Sequence, residues 1–147
     1  MITSEALTVR SATPGDAARV AELLTDEGYP VGPTDIAARL ERFHSASAAV
    51  IVAEQAGEVI GFIALATVPR FEHDDRFVRV LAVVVDAGAR ERGVGHRLMA
   101  EAEAFGREHG AAFIEITAGH HRPEARQLYE ALGYDGSVTA YLRKRIG

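Results

Sequence analysis

Three arginines and two glycines are crowded into one short stretch whose spacing suits the binding of an anion. The stretch Arg90-Glu-Arg-Gly-Val-Gly-His-Arg97 follows six apolar residues, 80–85, and opens a long amphipathic segment. This order predicts a buried strand, a glycine-rich turn and the N-terminus of a helix. The first backbone N–H groups of a helix have no partner within it, and glycines let a ligand approach the backbone closely. A pyrophosphate would suit such a place.

Two common phosphate-binding motifs do not match this turn. It lacks the Gly-Lys-Ser/Thr of a P-loop and the spacing of a dinucleotide-binding Rossmann turn. Residues that could hold magnesium at loop spacing are also missing, which disfavours a nucleotide-phosphate binder. The remaining alternative is an ordinary strand-to-helix turn with exposed arginines.

The composition favours one folded domain over residues 1–147. Hydrophobic residues make up 48% and charged residues 25%, and the absence of cysteine excludes disulfides and thiolate catalysis. The formal net charge of -5 and the shortness of the densest basic cluster, 143–145, argue against a nucleic-acid partner. No apolar run approaches the roughly 20 residues that span a bilayer, so no membrane partner is expected. No signal-peptide pattern opens the sequence, and we expect a cytoplasmic protein.

Hydrophobic periodicity and turn residues predict an alternating series of strands and helices. The turn at 55–58 is of hairpin length, and the strand–helix–strand unit over 77–117 calls for a parallel pairing. Together the elements predict a mixed α/β sheet rather than a doubly wound one. Strands are expected at 7–10, 48–54, 59–68, 77–85, 113–117 and 137–143, and helices after Asp16, after Thr34, at 94–109 and from Pro123 to Leu132.

Two blocks of the sequence resemble the GNAT acyltransferases. Arg90-x-x-Gly-x-Gly95 after a strand looks like the acetyl-coenzyme A signature of that family. The segment Ala125-Arg-Gln-Leu-Tyr-Glu-Ala-Leu-Gly-Tyr134 is similar to its second block, A-x-x-L/F-Y-x-x-x-G-F/Y. The resemblance covers most of the chain. It implies a GNAT-like mixed, largely antiparallel central sheet flanked by about four helices, with acetyl-CoA as the acyl-donor substrate and no metal.

The resemblance also implies roles for individual residues of the donor site. Tyr129 would act as general acid when the thiolate leaves, because a phenol can protonate the departing sulfur. Arg122 stands where many members have asparagine, and it could contact the coenzyme or an acidic substrate. Arg79 stands where some members place a glutamate base. The residues implied to bind acetyl-CoA are Val83, Val84, Val85, Arg90, Glu91, Arg92, Gly93, Val94, Gly95, His96, Arg97, Arg122, Ala125 and Tyr129.

Fewer residues in the sequence indicate where the acceptor binds and which group acts as the base. The base that takes the proton of the amine could be Glu72, His73 or His120, with Glu115 and His121 as further candidates. A metal at His120-His121 is disfavoured because no third ligand has the usual spacing. The residues predicted to contact the acceptor are Tyr29, Phe71 and Glu72 in two loops, and Thr117 at the end of a strand. The acidic residues of the two loops would favour a cationic amine, and the alternative is that both are ordinary solvated loops.

Two functions follow from this resemblance. The first is an N-acetyltransferase that moves the acetyl group of acetyl-CoA to the primary amine of a small molecule, an amino acid or a peptide by direct attack. The alternative is a non-catalytic acyl-CoA sensor or regulatory domain on the same fold. Homodimers are common in the family, so a homodimer is one expectation.

Overall fold

A computed structural model describes residues 6–90, 92–118 and 123–147 of the chain. The backbone forms two compact units, Met1–Glu115 and Ile116–Gly147, each described here by itself. The strands form one five-stranded sheet in the order β1-β2-β3-β4-β5. They are β1 Thr8–Ser11, β2 Ala48–Gln55, β3 Glu58–Pro69, β4 Arg76–Val85 and β5 Ala111–Ile116, and the helices are α1 Ala17–Asp26, α2 Pro33–Arg42, α3 Val94–Glu108 and α4 Pro123–Ala131.

The predicted fold class is confirmed, because the sheet is mixed, mostly antiparallel and accompanied by four helices. The predicted last strand, 137–143, is wrong. Asp135 Oδ1 instead accepts hydrogen bonds from the backbone N–H and the hydroxyl of Ser137, and the backbone beyond this turn is irregular. The apolar side chains that suggested a strand, among them Val138 and Leu142, are exposed. Alternating apolar residues do not make a strand without a neighbouring strand to complete the backbone hydrogen bonds.

The hairpin between β2 and β3 forms as predicted. Ala56 and Gly57 both have positive φ, 53° and 76°. Two consecutive positive values are typical of a type I′ turn, whose twist matches that of the flanking strands. This turn fixes the register of the antiparallel pair, in which Val52 lies opposite Phe62.

A β-bulge in β4 changes which face of the sheet its side chains cover. Ala82 lies opposite Ala64 and Val80 lies opposite Leu65, so Leu81 is an extra residue. Before the bulge, Val78 faces α3, since a Cβ built on Gly106 would lie 3.4 Å from Val78 Cγ2. After the bulge, Ala82 and Val84 pack on the other face, in the core beneath α1 and α2.

Helices cover both faces of the sheet. The face under α1 and α2 buries Val20, Leu23, Ile36, Val52 and Phe62 in one cluster. On the opposite face, α3 buries a stripe of residues at helical spacing. Gly61 lets this helix approach closely, because a Cβ there would lie 3.0 Å from Val84 O and 3.1 Å from Val94 Cγ1. The buried α3 residues are Val94, Leu98, Met99, Ala102 and Phe105.

A buried ion pair fixes the entry to α1. Asp16 accepts two hydrogen bonds from Arg10, at 2.8 and 2.9 Å, and a third from the backbone N–H of Thr13. The Arg10 guanidinium holds the pKa of the Asp16 carboxyl below its usual range. A lowered folded pKa means that the pair stabilises the fold above the unfolded pKa of aspartate, and this contribution is lost as the pH falls through the folded value.

Within the described residues, no helix is long and apolar enough to cross a membrane.

Candidate functional site

The glycine turn predicted from the sequence lies between the end of β4 and the start of α3. Gly93 is the N-cap of α3 with φ of 80°, a left-handed conformation that glycine adopts without steric cost. Gly93 has no side chain that could cap the helix, and no side-chain cap hydrogen bond is present. The N–H groups of Val94, Gly95 and His96 therefore have no intrahelical acceptor and no capping side chain among the described residues. This end of α3 can hold an anion.

The start of the turn is anchored to the rest of the unit by Asp86. Its Oδ1 accepts a hydrogen bond from Gly88 N at 2.8 Å, and its other oxygen pairs with Arg19 on α1. Arg19 Nε also donates to Val59 O on β3 at 2.8 Å. The Gly88 N–H, followed by Arg19, holds the pKa of Asp86 below its usual range. The turn is thus tied to a helix and a strand by an ionised carboxylate.

The three arginines around the turn are exposed and contact neighbouring side chains. Arg90 lies 3.5 Å from Glu27, Arg92 donates to Gln55 at 3.3 Å, and Arg97 lies 3.6 Å from Glu101 one turn along α3. Pairs of this kind at the surface contribute about 0–1 kcal/mol. Such weak contacts leave the guanidinium groups able to turn toward an anion at the helix N-terminus.

The backbone of β4 offers hydrogen-bonding groups on its outer edge. Asp86 N donates to Ile60 O on β3 at 2.8 Å. Backbone groups alternate sides along a strand, so the N–H groups of Val83 and Val85 point away from β3. Val84 is different, because its N–H faces β3 and its side chain is in the core beneath α1. Of the three valines predicted to bind the donor, Val83 and Val85 are suitably placed.

The strand β5 runs beside only the first half of β4. Phe77 stacks on Phe113 with ring centroids 5.1 Å apart, and Arg79 donates to Glu115 at 3.1 Å. Moving two residues along β4, from Phe77 to Arg79, corresponds to moving two residues in the same direction along β5, from Phe113 to Glu115. This is typical of a parallel pair. Since β5 ends at Ile116, it stops short of the Val83 and Val85 edge. An extended ligand could pair with that edge as a further strand would.

Tyr129, the predicted general acid, lies on α4 and is 8% exposed. Its ring meets Tyr134 edge-on, with centroids 6.3 Å apart, and its carbonyl accepts a hydrogen bond from Tyr134 N. Ala125, on the same helix, is half-buried. Packing holds the phenol in one place within this unit, as a positioned acid requires. Its catalytic role stays a prediction.

Three of the predicted site positions lie outside the described residues, namely Glu91, His120 and Arg122. The same holds for His121. Thr117 is described, and it is an exposed residue directly after β5.

The predicted acceptor loops lie at opposite ends of β4. Tyr29 is 62% exposed in the loop after α1, two residues from Glu27, which pairs with Arg90 of the glycine turn. Phe71, Glu72 and His73 are exposed in the loop that precedes β4. A ten-residue strand is about 30 Å long, so the two loops would contact different parts of an acceptor.

The loop before β4 is ordered by a two-point ion pair. Arg70 Nε and Nη2 donate to the two carboxylate oxygens of Asp75 at 2.5 and 2.6 Å. An open groove of about 570 Å³ runs beside this loop, lined by Ser47, Thr67, His73 and Asp74 among others. Of the two predicted base candidates in the loop, His73 therefore lines a cavity.

One side-chain cluster was not predicted from the sequence as a unit. It consists of Phe77, Arg79, Phe113 and Glu115, on the face of β4 and β5 opposite α3, and we name it the Arg79–Glu115 cluster. Arg79 Nε is buried and has no hydrogen-bond partner in the part of the chain that the structure describes, and an unpaired buried donor costs about 1–3 kcal/mol. The signal in the sequence is the matched spacing of Phe77-x-Arg79 and Phe113-x-Glu115 on two strands that become neighbours.

Among the described residues, no group of three or more histidines, aspartates or glutamates could hold a metal ion. The prediction of metal-free chemistry stays a prediction.

Comparisons with known proteins agree with this arrangement. The model of the acetyltransferase (GNAT) family matches residues 17–134. A curated relative, the uncharacterized N-acetyltransferase YhfO of Bacillus subtilis (strain 168), is 31% identical over 137 residues, which cover 88% of this chain and 90% of the relative.

Solved structures show the same fold. A transcriptional regulator from Bacillus halodurans C-125 superimposes with a TM-score of 0.87 at 24% identity, covering 96% of this chain and 100% of the other. The aminoglycoside N-acetyltransferase AAC(6')-Iy, solved in complex with CoA, superimposes with a TM-score of 0.81 at 20% identity, covering 99% of this chain and 98% of the other. With the family model matching most of its length, the chain belongs to the GNAT acetyltransferase family.

Proposed function

We propose that this chain is an N-acetyltransferase that uses acetyl-CoA as donor substrate and a primary amine as acceptor. The observation that carries the proposal is the N-terminus of α3, with Gly93 as its N-cap, at the end of a strand whose outer edge beyond β5 meets no other described strand. The helix end suits the pyrophosphate of the donor, and the N–H groups of Val83 and Val85 suit the amides of its pantetheine arm. AAC(6')-Iy, a protein of the same fold solved in complex with CoA, supports the choice of acetyl-CoA as donor.

The proposed reaction is a direct transfer. The amine nitrogen attacks the thioester carbonyl, a C–N bond forms, and the tetrahedral intermediate then expels the thiolate as the C–S bond breaks. Tyr129 gives its proton to the leaving sulfur, and a base takes the proton of the attacking nitrogen. Because the chain contains no cysteine, no thiol of the protein can carry the acetyl group between donor and acceptor.

The candidates for the base lie at different distances from the bulge in β4. Glu72 and His73 precede β4, whereas the bulge at Leu81 lies five residues into that strand, about 17 Å further on. A base in this loop would therefore act on the amine through ordered water or after the loop moves. Glu115 lies closer to the bulge, on the neighbouring strand, and His120 remains a further candidate.

A second candidate function is an acyl-CoA sensor on the same fold. It is favoured by Arg79, which stands on β4 where the resemblance implies a glutamate base in some members. The name of the Bacillus halodurans structure, a transcriptional regulator, also fits this alternative. A sensor would bind acetyl-CoA and transfer nothing. In either function we propose action in the cytoplasm with no nucleic-acid or membrane partner, and a homodimer is one of the assemblies that the resemblance allows.

Thiol release from acetyl-CoA, measured with a panel of amines, separates the two functions. For the enzyme we expect amine-dependent release above the rate of spontaneous hydrolysis, together with a matching amount of N-acetylated product by mass spectrometry. Tight donor binding by calorimetry without amine-dependent release would support the sensor. If acetyl-CoA does not bind at all, both candidates are wrong.

A further inference from the structure

The Arg79–Glu115 cluster lies next to the place where the donor would end. Arg79 is two residues before the bulge at Leu81, and the outer edge of β4 that suits the pantetheine arm begins two residues after it, at Val83. Along a strand, four residues span about 13 Å. Side chains that project from Arg79 and Glu115 can therefore reach an acceptor whose amine meets the thioester.

Within this cluster, the Arg79 guanidinium uses only some of its hydrogen-bond donors. Arg79 Nη2 donates to Glu115 Oε1 at 3.1 Å, and this is the single hydrogen bond of the Arg79 guanidinium within the described part of the chain. Its Nε is buried and has no hydrogen-bond partner among the described residues, so a ligand would meet the exposed end of the guanidinium. Both side chains are 35% exposed, so a ligand can reach them. A guanidinium binds a carboxylate best through two parallel N–H groups, and Arg79 has donors left for this.

The neighbouring Arg70 makes more hydrogen bonds to protein carboxylates than Arg79 does. Arg70 lies over the Phe113 ring at 5.1 Å, but it already makes both hydrogen bonds of a two-point pair with Asp75. Arg70 is thus held against a carboxylate of the protein by two hydrogen bonds, whereas Arg79 makes one within the described residues and has more donors left for a ligand carboxylate.

The two arginines each lie over one ring of a stacked aromatic pair. Phe77 and Phe113 stack almost in parallel, with an interplanar angle of 9°, and the Arg79 guanidinium lies 5.6 Å from the Phe77 ring centroid. Phe113 is 40% exposed. An exposed stack of this kind favours contact with an apolar or aromatic group.

We propose that the Arg79–Glu115 cluster is the acceptor subsite and takes an α-amino acid with an apolar or aromatic side chain. Arg79 binds the carboxylate, Glu115 accepts a hydrogen bond from the neighbouring amine, and Phe77 with Phe113 contacts the side chain. Arg79 Nη2 and Glu115 Oε1 lie 3.1 Å apart, close enough for the two head groups to contact a carboxylate and an amine carried on one carbon. This inference rests on the proposed function, since it names the acceptor class of that reaction.

The test compares two acceptors that differ only in the carboxylate, phenylalanine and 2-phenylethylamine. Wild-type protein is expected to acetylate phenylalanine with the lower KM. Arg79→Gln should raise the KM for phenylalanine about 10- to 100-fold, with little change in kcat, and leave the KM for 2-phenylethylamine unchanged. The matched control is Arg76→Gln, the same substitution three residues earlier on β4, which should change neither KM.

Binding measured without turnover keeps the subsite and the proposed function separate. Calorimetry with phenylalanine and CoA-loaded protein should show binding that Arg79→Gln weakens and Arg76→Gln does not, with the acetyl-CoA affinity of both variants unchanged. Binding of this kind without acetyl transfer supports the subsite and contradicts the proposed function. Transfer that is equally efficient to both amines, or equally affected by Arg79→Gln for both, overturns the subsite alone. If phenylalanine neither binds nor reacts, the subsite is wrong.

Discussion

Replacing Gly95 by aspartate should weaken acetyl-CoA binding about 100-fold while leaving the protein folded. Gly95 lies in the first turn of α3, directly after the N-cap Gly93 and Val94. A carboxylate there would occupy the N–H groups that we assign to the pyrophosphate and would repel the phosphates. Two charges about 5 Å apart at an effective dielectric constant of about 20 interact with about 3 kcal/mol, which corresponds to about 100-fold in Kd.

The same substitution is expected to stabilise α3, which separates binding from folding. Aspartate in the first turn of a helix interacts favourably with the helix dipole, and removing a glycine lowers the entropic cost of folding. The matched control is Gly32→Asp at the N-cap of α2, where an added Cβ would have no atom within 4 Å. Calorimetry should show normal acetyl-CoA affinity for Gly32→Asp. Normal affinity for Gly95→Asp as well would contradict the proposed donor site.

Replacing Tyr129 by phenylalanine should lower kcat about 100- to 10,000-fold without weakening acetyl-CoA binding. The phenol is proposed to protonate the leaving sulfur, and a positioned general acid contributes a factor of this size. Phenylalanine keeps the ring that packs against Tyr134 on this buried face of α4, so the fold should be preserved. The measurement is thiol release at saturating acetyl-CoA, together with the donor Kd by calorimetry.

Tyr134→Phe is the control for the loss of a hydroxyl in the same unit. The family block to which residues 125–134 are similar accepts either phenylalanine or tyrosine at its last position, so this variant should retain the wild-type kcat. If Tyr129→Phe also retains it, Tyr129 is a packing residue and another group protonates the thiolate.

The strand, glycine turn and helix of the proposed donor site were largely predictable from the sequence because their signals are local. A run of apolar residues, a glycine at a position that needs positive φ and an amphipathic stripe are all contained within residues 80–105. What the structure adds is the direction in which the backbone N–H groups of β4 point. Val83 and Val85 point their N–H groups outward, whereas Val84 does not, and this depends on the pairing of Asp86 with Ile60.

The acceptor half was less predictable because it depends on contacts between distant residues. The bulge at Leu81 follows from the register between β3 and β4, which no single stretch encodes. Arg79 and Glu115 are 36 residues apart and meet only because β5 lies beside β4. The predicted strand at 137–143 is wrong for a related reason, since the pattern is typical of a strand but none of the described strands pairs with it.

The most direct test of the donor site is amide hydrogen exchange, measured by NMR with and without acetyl-CoA. The account predicts slower exchange for Val83 and Val85 on β4 and for Gly95 and His96 in the first turn of α3, because the bound donor would accept hydrogen bonds from these N–H groups. Val84, which faces β3, should change little and serves as the internal reference. Protection elsewhere in the chain, with these four amides exchanging at the same rate as in the free protein, would contradict the central claim.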